Sequence, residues 1–346
     1  MPTLPVDPMV AYVLFIVAVA LVFDFCNGIK DAANSIATIV STRVLSPRKA
    51  VLWAAFFNFV AAFGFNQSVA TTIGKGLVHP QFVTPHLVLA ALIAAIVWTV
   101  LCLRRGLPIS VSHALIGALA GAAMVRAGTE ALIWSKIGIV AAFIVLSSLI
   151  GLVLGTAMMI GTLWICRKRS PRGVDRVSRV LQLFSAALYS LGHGLNDAQK
   201  TMGIIFALLI SVPSLQGWAT HDGNPESKHL AWWIILSCHA SIALGTYMGG
   251  WKVVHTLGHR VTKLRPVDGF CAETAGGVTL MVLSYFGIPV STTHTITGAI
   301  VGVGAVHRLS AVHWGVGRDI VLAWVLTLPV SALIAAGVYF VISRFV

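Results

Sequence analysis

Long apolar runs recur along this chain, most of them near the roughly 20 residues needed to cross a hydrocarbon core. They lie at about 9–26, 50–72, 86–103, 136–165, 179–192, 230–250, 268–286 and 319–343. A chain of 346 residues would otherwise suggest two or three soluble domains, but 57% of it is apolar and only 10% is charged. Soluble domains carry nearer 25% charge. The mean hydropathy of +0.89 agrees. Soluble enzyme, disordered chain and coiled coil are all excluded. The expected fold class is an all-α polytopic membrane protein.

The net charge of +13 would suggest nucleic-acid binding in a soluble protein. Here the basic residues cluster between apolar runs, where they orient helices by the positive-inside rule. No basic domain outside the membrane exists to carry a nucleic-acid site, so no nucleic-acid partner is expected. The five cysteines (Cys26, Cys102, Cys166, Cys238, Cys271) are scattered, without paired spacing for a metal or redox motif. No cofactor and no resident metal are expected. Met1 to Pro8 lacks the positive start of a cleavable signal, so the first apolar run is expected to be retained.

The longest charged break runs from Arg167 to Arg179, with six Lys or Arg against one Asp. It divides the chain into a first repeat (1–166), a basic cytoplasmic linker (167–179) and a second repeat (180–346). Asn27-Gly28-Ile29-Lys30-Asp31-Ala32-Ala33-Asn34 returns as His193-Gly194-Leu195-Asn196-Asp197-Ala198-Gln199-Lys200. Gly106-Leu107-Pro108-Ile109-Ser110-Val111-Ser112-His113 returns as Gly287-Ile288-Pro289-Val290-Ser291-Thr292-Thr293-His294. Two motifs recurring in one order identify an internal repeat. Their spacing is wider in the second half, which places an insertion in the polar loop 211–229 (Pro213, Asp222, Asn224, Pro225, Glu226).

Charge orients the halves. Arg43, Arg48 and Lys49 follow the first motif, where the second half is uncharged before its polar loop. Arg104 and Arg105 precede the Pro-Ser-His motif, where the second half has Tyr285 and Phe286; conversely Lys252 to Arg265 is basic where residues 71–86 offer one Lys. Basic loops of one half answer neutral loops of the other, as in two repeats of inverted topology. Arg126 and Arg308 break the pattern by being basic in both halves. The number of crossings stays open, because inversion needs an odd number per half.

Asp31 and Asp197 occupy the same repeat position at membrane depth, where a carboxylate costs roughly 3 kcal/mol or more and normally faces a cavity and a partner. A carboxylate paired with a neighbouring Lys, here Lys30 or Lys200, is the plainer reading of either alone; its duplication favours function. Asn27 and Asn34 stand near the first Asp, and His193, Asn196, Gln199 and Lys200 near the second. Gly28 and Gly194 are expected to let each helix unwind, which is tolerated only where backbone lines a cavity. Freed oxygens suit a proton or small cation, while amide and ammonium donors suit an anion.

In the Pro-Ser-x-Ser/Thr-His motifs, Pro suits a first helical turn and Ser or Thr an N-cap. Each motif predicts a half-helix starting near Ser110 or Ser291, in a re-entrant hairpin whose N-terminus attracts anions. The hydroxyls of Ser110, Ser112, Ser291, Thr292 and Thr293 add donors around a small tetrahedral oxyanion. His113 and His294 are equivalent, and either relay protons or hydrogen-bond the hairpin turn. Asp24 and Glu273 are further acids beside apolar runs, with Glu273 read equally as an interfacial salt-bridge partner. The ten Trp are read as interface anchors.

These motifs resemble those of the inorganic phosphate transporter (PiT) family, whose Gly-x-Asn-Asp-Ala-Gln-Lys string is matched by Gly194 to Lys200. The likeness covers the chain in order. It implies an inner-membrane, multi-pass symporter that carries inorganic phosphate with a proton or sodium ion in a lipid bilayer. Assembly into a homo-oligomer is left open. By the resemblance Asp31, Asn34, Asn196 and Asp197 belong to the coupling and substrate sites, and the hairpin hydroxyls ligate phosphate. Asn27 joins the coupling group and Lys200 the substrate group. One departure stands out: Lys30 replaces the amide found at Asn196, and its charge disfavours sodium and favours protons. Sodium-coupled phosphate or sulfate transport is the alternative. An intramembrane aspartyl protease using Asp31 and Asp197 is a distant one, since their flanks are near-copies, and a passive anion channel would not need the paired carboxylates.

Overall fold

The computed structural model describes residues 7–64, 67–224, 227 and 229–345. The start of the amino terminus and Pro225 and Glu226 of the polar loop lie outside the described residues. The described chain is helical, with only two isolated antiparallel bridges, Val78 with Leu132 and Thr220 with Leu230. Its α-helices are α1 (Pro8–Ser41), α2 (Pro47–Val60), α3 (Ser68–Gly76), α4 (Pro85–Arg105), α5 (Val111–Ala127) and α6 (Trp134–Cys166). After the basic linker follow α7 (Pro171–Ile210), α8 (Trp232–Met248), α9 (Trp251–His255), α10 (Pro266–Tyr285), α11 (Thr292–His307) and α12 (Trp314–Ile342). By length and composition five segments are able to cross a membrane: α1, α4, α5 with its continuation to Ala131, α6 and α12.

Local chemistry sets the helix starts. Asp7, Thr84 and Ser170 cap α1, α4 and α7 with side-chain oxygens, and each is followed by Pro at the first helical position. The run expected over 50–72 is divided between α2 and α3. The linker is shorter than its charge suggests, because α7 begins at Pro171 and carries three of those six basic residues, Arg172, Arg176 and Arg179, on its first turns.

Side-chain exposure is that of a protein in lipid. Val145, Leu149, Val153, Ile160 and Leu163 of α6 and Val321, Val325, Leu333 and Phe340 of α12 all face outward. An apolar surface of that extent is unsuited to water. The polar residues are inside instead: Asp24, Lys30, Asp31, Asn34, His193, Asp197, Lys200 and Glu273 are all buried.

α1 and α7 run antiparallel through this interior. Asp24 meets Thr201, Asp31 faces His193, Thr42 meets Gln182, and the Arg43 carbonyl meets Arg179, so one helix descends as the other rises. Both helices are continuous. The expected unwinding at Gly28 and Gly194 is absent, and packing explains those glycines. A Cβ on Gly28 would lie 2.2 Å from the Ile242 carbonyl oxygen of α8, and one on Gly194 would lie 2.7 Å from that of Asn58 on α2.

The two halves interlock. α5 turns back along α4 and packs on α12, while α11 turns back along α10 and packs on α6. Glycines at matching repeat positions make these contacts. A Cβ on Gly117 or Gly121 would lie 2.5 or 2.1 Å from backbone oxygens of α12; one on Gly298 or Gly302, 2.1 or 2.3 Å from those of α6. Small residues four apart bring helices together in lipid in this way.

Candidate functional site

Ser110 and Ser291 have extended backbones, and each side-chain oxygen accepts the amide hydrogen three residues on, from His113 (3.3 Å) and His294 (3.2 Å). They are the N-caps of α5 and α11, at the places the motifs predict. The bonds occupy one acceptor lone pair of each hydroxyl and leave its O–H free to donate. Gly106 and Gly287 hold the preceding turns in left-handed conformations (φ 69° at each).

The two helix starts meet the α1–α7 pair at a buried cluster. Lys30 Nζ donates to Asp31, to the Ile109 carbonyl and to Thr293 Oγ1 (2.7 Å). Lys200 Nζ donates to Asp197 (2.6 Å), to the Val290 carbonyl (2.7 Å) and to Ser112 Oγ (2.6 Å). Each ammonium therefore binds a carboxylate of its own half, the backbone just before the capped helix start of its own half, and a hydroxyl from the other half. Thr293 Oγ1 donates to Asp31 (3.2 Å) and Thr292 Oγ1 to Asp197 (3.1 Å), while the Asn34 amide donates to both threonines. Tyr189 steadies this turn through its hydroxyl, which donates to the Thr292 carbonyl at 2.9 Å.

His193 lies between the carboxylates, with Nε2 3.1 Å from Asp197 Oδ2 and 3.9 Å from Asp31 Oδ2. Its tautomer follows from a hydrogen-bond chain. Thr246 donates to the Ile242 carbonyl and so accepts from Asn58 Nδ2, which leaves Asn58 Oδ1 to accept from His193 Nδ1 at 3.1 Å. With Nδ1 donating, Nε2 of the neutral ring and Asp197 Oδ2 are two facing acceptors, and protonation of the ring turns Nε2 into a donor to that carboxylate. Their approach is an ion-pair distance without hydrogen-bond alignment. Oxygen and nitrogen donors of Asp31, His193 and Asp197 lie within 4.8 Å of one another. Positive charge at that point is already supplied by the lysines.

The remaining expected residues fall around this cluster. Asn196 turns away and donates to Ser284 of α10 (2.9 Å), so the position aligned with Lys30 does not share its surroundings. Asn27 is buried one turn from Asp24, with its side-chain oxygen unpartnered. His113 and His294 meet edge to face with ring centroids 4.8 Å apart; His294 stacks on Trp324 (3.7 Å) and contacts the Ile144 carbonyl through Nδ1 (3.0 Å). Glu273 is no interfacial salt-bridge partner. It is buried among Thr38, Gln182 and Ser185, all three donating to its carboxylate.

Two residues at the centre were not assigned a site role by the motifs, His193 and Lys30. Their signal lies in the sequence: His193 is four residues before Asp197, hence on the same helix face, and Lys30 adjoins Asp31.

A multi-pass helical membrane protein with a buried charged centre, where two helix starts meet, has the build of a membrane transporter. A family model described as "Phosphate transporter family" matches residues 27–335, and the chain belongs to that family. A "Probable low-affinity inorganic phosphate transporter" of Rhizobium meliloti (strain 1021) is 52% identical over 336 residues, covering 96% of this chain and 98% of the relative. A protein of the same description from Bacillus subtilis (strain 168) is 40% identical, covering 97% of this chain and 99% of its own. A solved structure titled "The sodium-dependent phosphate transporter" superposes with a TM-score of 0.84 at 25% identity, covering 97% of this chain and all of that one.

Proposed function

We propose that this protein is a secondary active symporter that moves inorganic phosphate across the inner (plasma) membrane, coupled to protons. The place for a proton between His193 Nε2 and Asp197 Oδ2 carries the coupling. Two acceptors 3.1 Å apart repel unless a proton lies between them. The two ammonium groups stand against the carboxylates, where a coupling cation would otherwise sit. Charge accounts for the rest. Two carboxylates and two ammonium groups cancel, so an anion entering this centre needs added positive charge. Protons arriving at Asp31 and Asp197 neutralise the carboxylates and release Lys30 and Lys200 to the anion. The free amide groups at the starts of α5 and α11, with Ser112, Thr292 and Thr293, supply neutral donors to a tetrahedral oxyanion.

The halves 1–166 and 180–346 are read as inverted repeats with re-entrant hairpins, joined by the cytoplasmic linker. The antiparallel α1–α7 pair and the exchanged packing of α5 and α11 support that reading. A sodium-coupled cycle is the second reading, favoured by the likeness to a structure so titled.

Purified protein in liposomes, given labelled phosphate and either a pH gradient or a sodium gradient, separates the two. Proton-driven accumulation is expected in the wild type, together with its collapse in Asp31→Asn and Asp197→Asn. Wild-type accumulation by both variants would remove the carboxylates from the mechanism.

A further inference from the structure

Asp24 is fully buried, at 0% exposure, on α1 two turns before Asp31. Thr201 of α7 donates to its Oδ1 at 2.9 Å, the Asn27 side chain lies beside the carboxylate, and Asp24 Oδ2 has no aligned hydrogen bond. Asn27, one turn further along α1, presents a second buried side-chain oxygen without a partner. Two unsatisfied acceptors at one buried place are costly, and an isolated buried anion more so. A proton on Asp24 Oδ2 would turn one of these acceptors into a donor. No Lys or Arg is among the groups in electrostatic reach. Asp197 and His193 of α7 and Cys238 of α8 are the titratable groups in electrostatic reach. α4 also packs on α1, but its titratable groups stand near its ends, at His86 and from Cys102 to Arg105.

Position along the helices gives this group a role. Asp24, Asn27 and Asp31 share one face of α1, and His193, Asp197 and Thr201 share one face of α7. The antiparallel pairing turns these faces into a ladder: one rung is Asp24 with Thr201, the next is Asp31 with His193 and Asp197. The rungs are about 10 Å apart along α1, seven residues at 1.5 Å each. Tyr12 is the only titratable residue of α1 before Asp24, so the ladder ends there against an apolar plug that includes Val13, Ile16, Val17 and Ala20.

We propose that Asp24 is the proton-binding station on the side of the membrane where α1 begins, delivering the coupled proton to the central Asp–His–Asp group. When the apolar plug opens to water on that side, Asp24 Oδ2 takes up a proton. As the plug closes, the proton passes down the ladder by way of the Thr201 hydroxyl to Asp197, which leaves Asp24 as a carboxylate ready for the next. Asp24 touches no substrate in this scheme; it loads the centre. The inference rests on the proton-coupled reading above.

Proteoliposomes test it with two readouts, pH-gradient-driven phosphate accumulation and gradient-free exchange of labelled for unlabelled phosphate. Asp24→Asn is expected to lower driven accumulation at least tenfold, to keep exchange within about twofold of wild type, and to abolish proton uptake reported by an entrapped pH dye. Asp24→Glu is expected to restore driven uptake. Driven accumulation at the wild-type level in Asp24→Asn would overturn the proposal while leaving proton coupling intact. Equal loss of exchange and driven uptake in Asp24→Asn would also overturn it, by making the residue structural. A wild-type protein indifferent to the pH gradient would bring down the coupled reading, and this proposal with it.

Discussion

Lys30 and Lys200 occupy mirror-image surroundings although the repeat does not align them. The motifs match Lys30 to Asn196 and Lys200 to Asn34. In space the two ammonium groups make the same three contacts, with an aspartate, the residue before an N-cap, and the hydroxyl two residues after the opposite N-cap. A lysine next to Asp31 and one three residues beyond Asp197 reach equivalent points because the side chain is long and flexible.

Removing one lysine therefore exposes what it replaces. Lys30→Asn leaves Asp31 without its ammonium and opens the place a small cation would take. The expected outcome is a sodium-stimulated uptake that the wild type lacks, read with labelled phosphate under opposed sodium and pH gradients. Continued indifference to sodium would show that Lys30 does not set ion choice.

The hydroxyls at the starts of α5 and α11 are expected to divide into two roles. Ser112→Ala removes an acceptor for Lys200 at the centre and is expected to raise the apparent phosphate KM. The loss of one hydrogen bond to a charged group is on the order of 1.5–3 kcal/mol, which is about ten- to a hundredfold. Ser110→Ala instead removes a cap worth about 0.5–2 kcal/mol. It should lower the melting temperature in detergent with KM nearly unchanged. Identical behaviour of the two variants would refute the division.

Close helix contact makes a purely steric prediction. Gly298→Val places a side chain where even a Cβ would lie 2.1 Å from the Ser148 carbonyl oxygen. Overpacking of this kind costs about 1–3 kcal/mol. The melting temperature is expected to fall, whereas Gly161→Val, where a Cβ meets nothing within 4 Å, should leave it unchanged.

Orientation is tested from outside intact cells. The basic segment at Ser170 is expected to be cytoplasmic, and the exposed loop at Asn224 external. An impermeant thiol reagent should label Asn224→Cys and spare Ser170→Cys. Labelling of Ser170→Cys would reverse the topology.

Particular residues show where sequence reasoning reached and where it stopped. The N-caps Ser110 and Ser291 are local, decided within four residues, and were legible. The nearness of Asp31 and Asp197 was legible too, because duplicated acids inside apolar runs need a shared interior. His193 was not placed, since its position between the two carboxylates depends on α1 and α7 lying antiparallel side by side. Gly28 and Gly194 were misread for a related reason. Glycine permits unwinding and close contact alike, and only the neighbouring helix decides between them. Glu273 followed a basic stretch in sequence, yet its helix turns it toward Thr38, Gln182 and Ser185 instead.

The exchanged packing of α5 on α12 bears on how the chain is made. Synthesis delivers α5 well before α12, so the glycine face at Gly117 and Gly121 waits without its partner until α12 leaves the ribosome. A chain stopped anywhere before α12 has no complete centre, because Trp324, which stacks on His294 and donates to the Pro108 carbonyl, arrives with it.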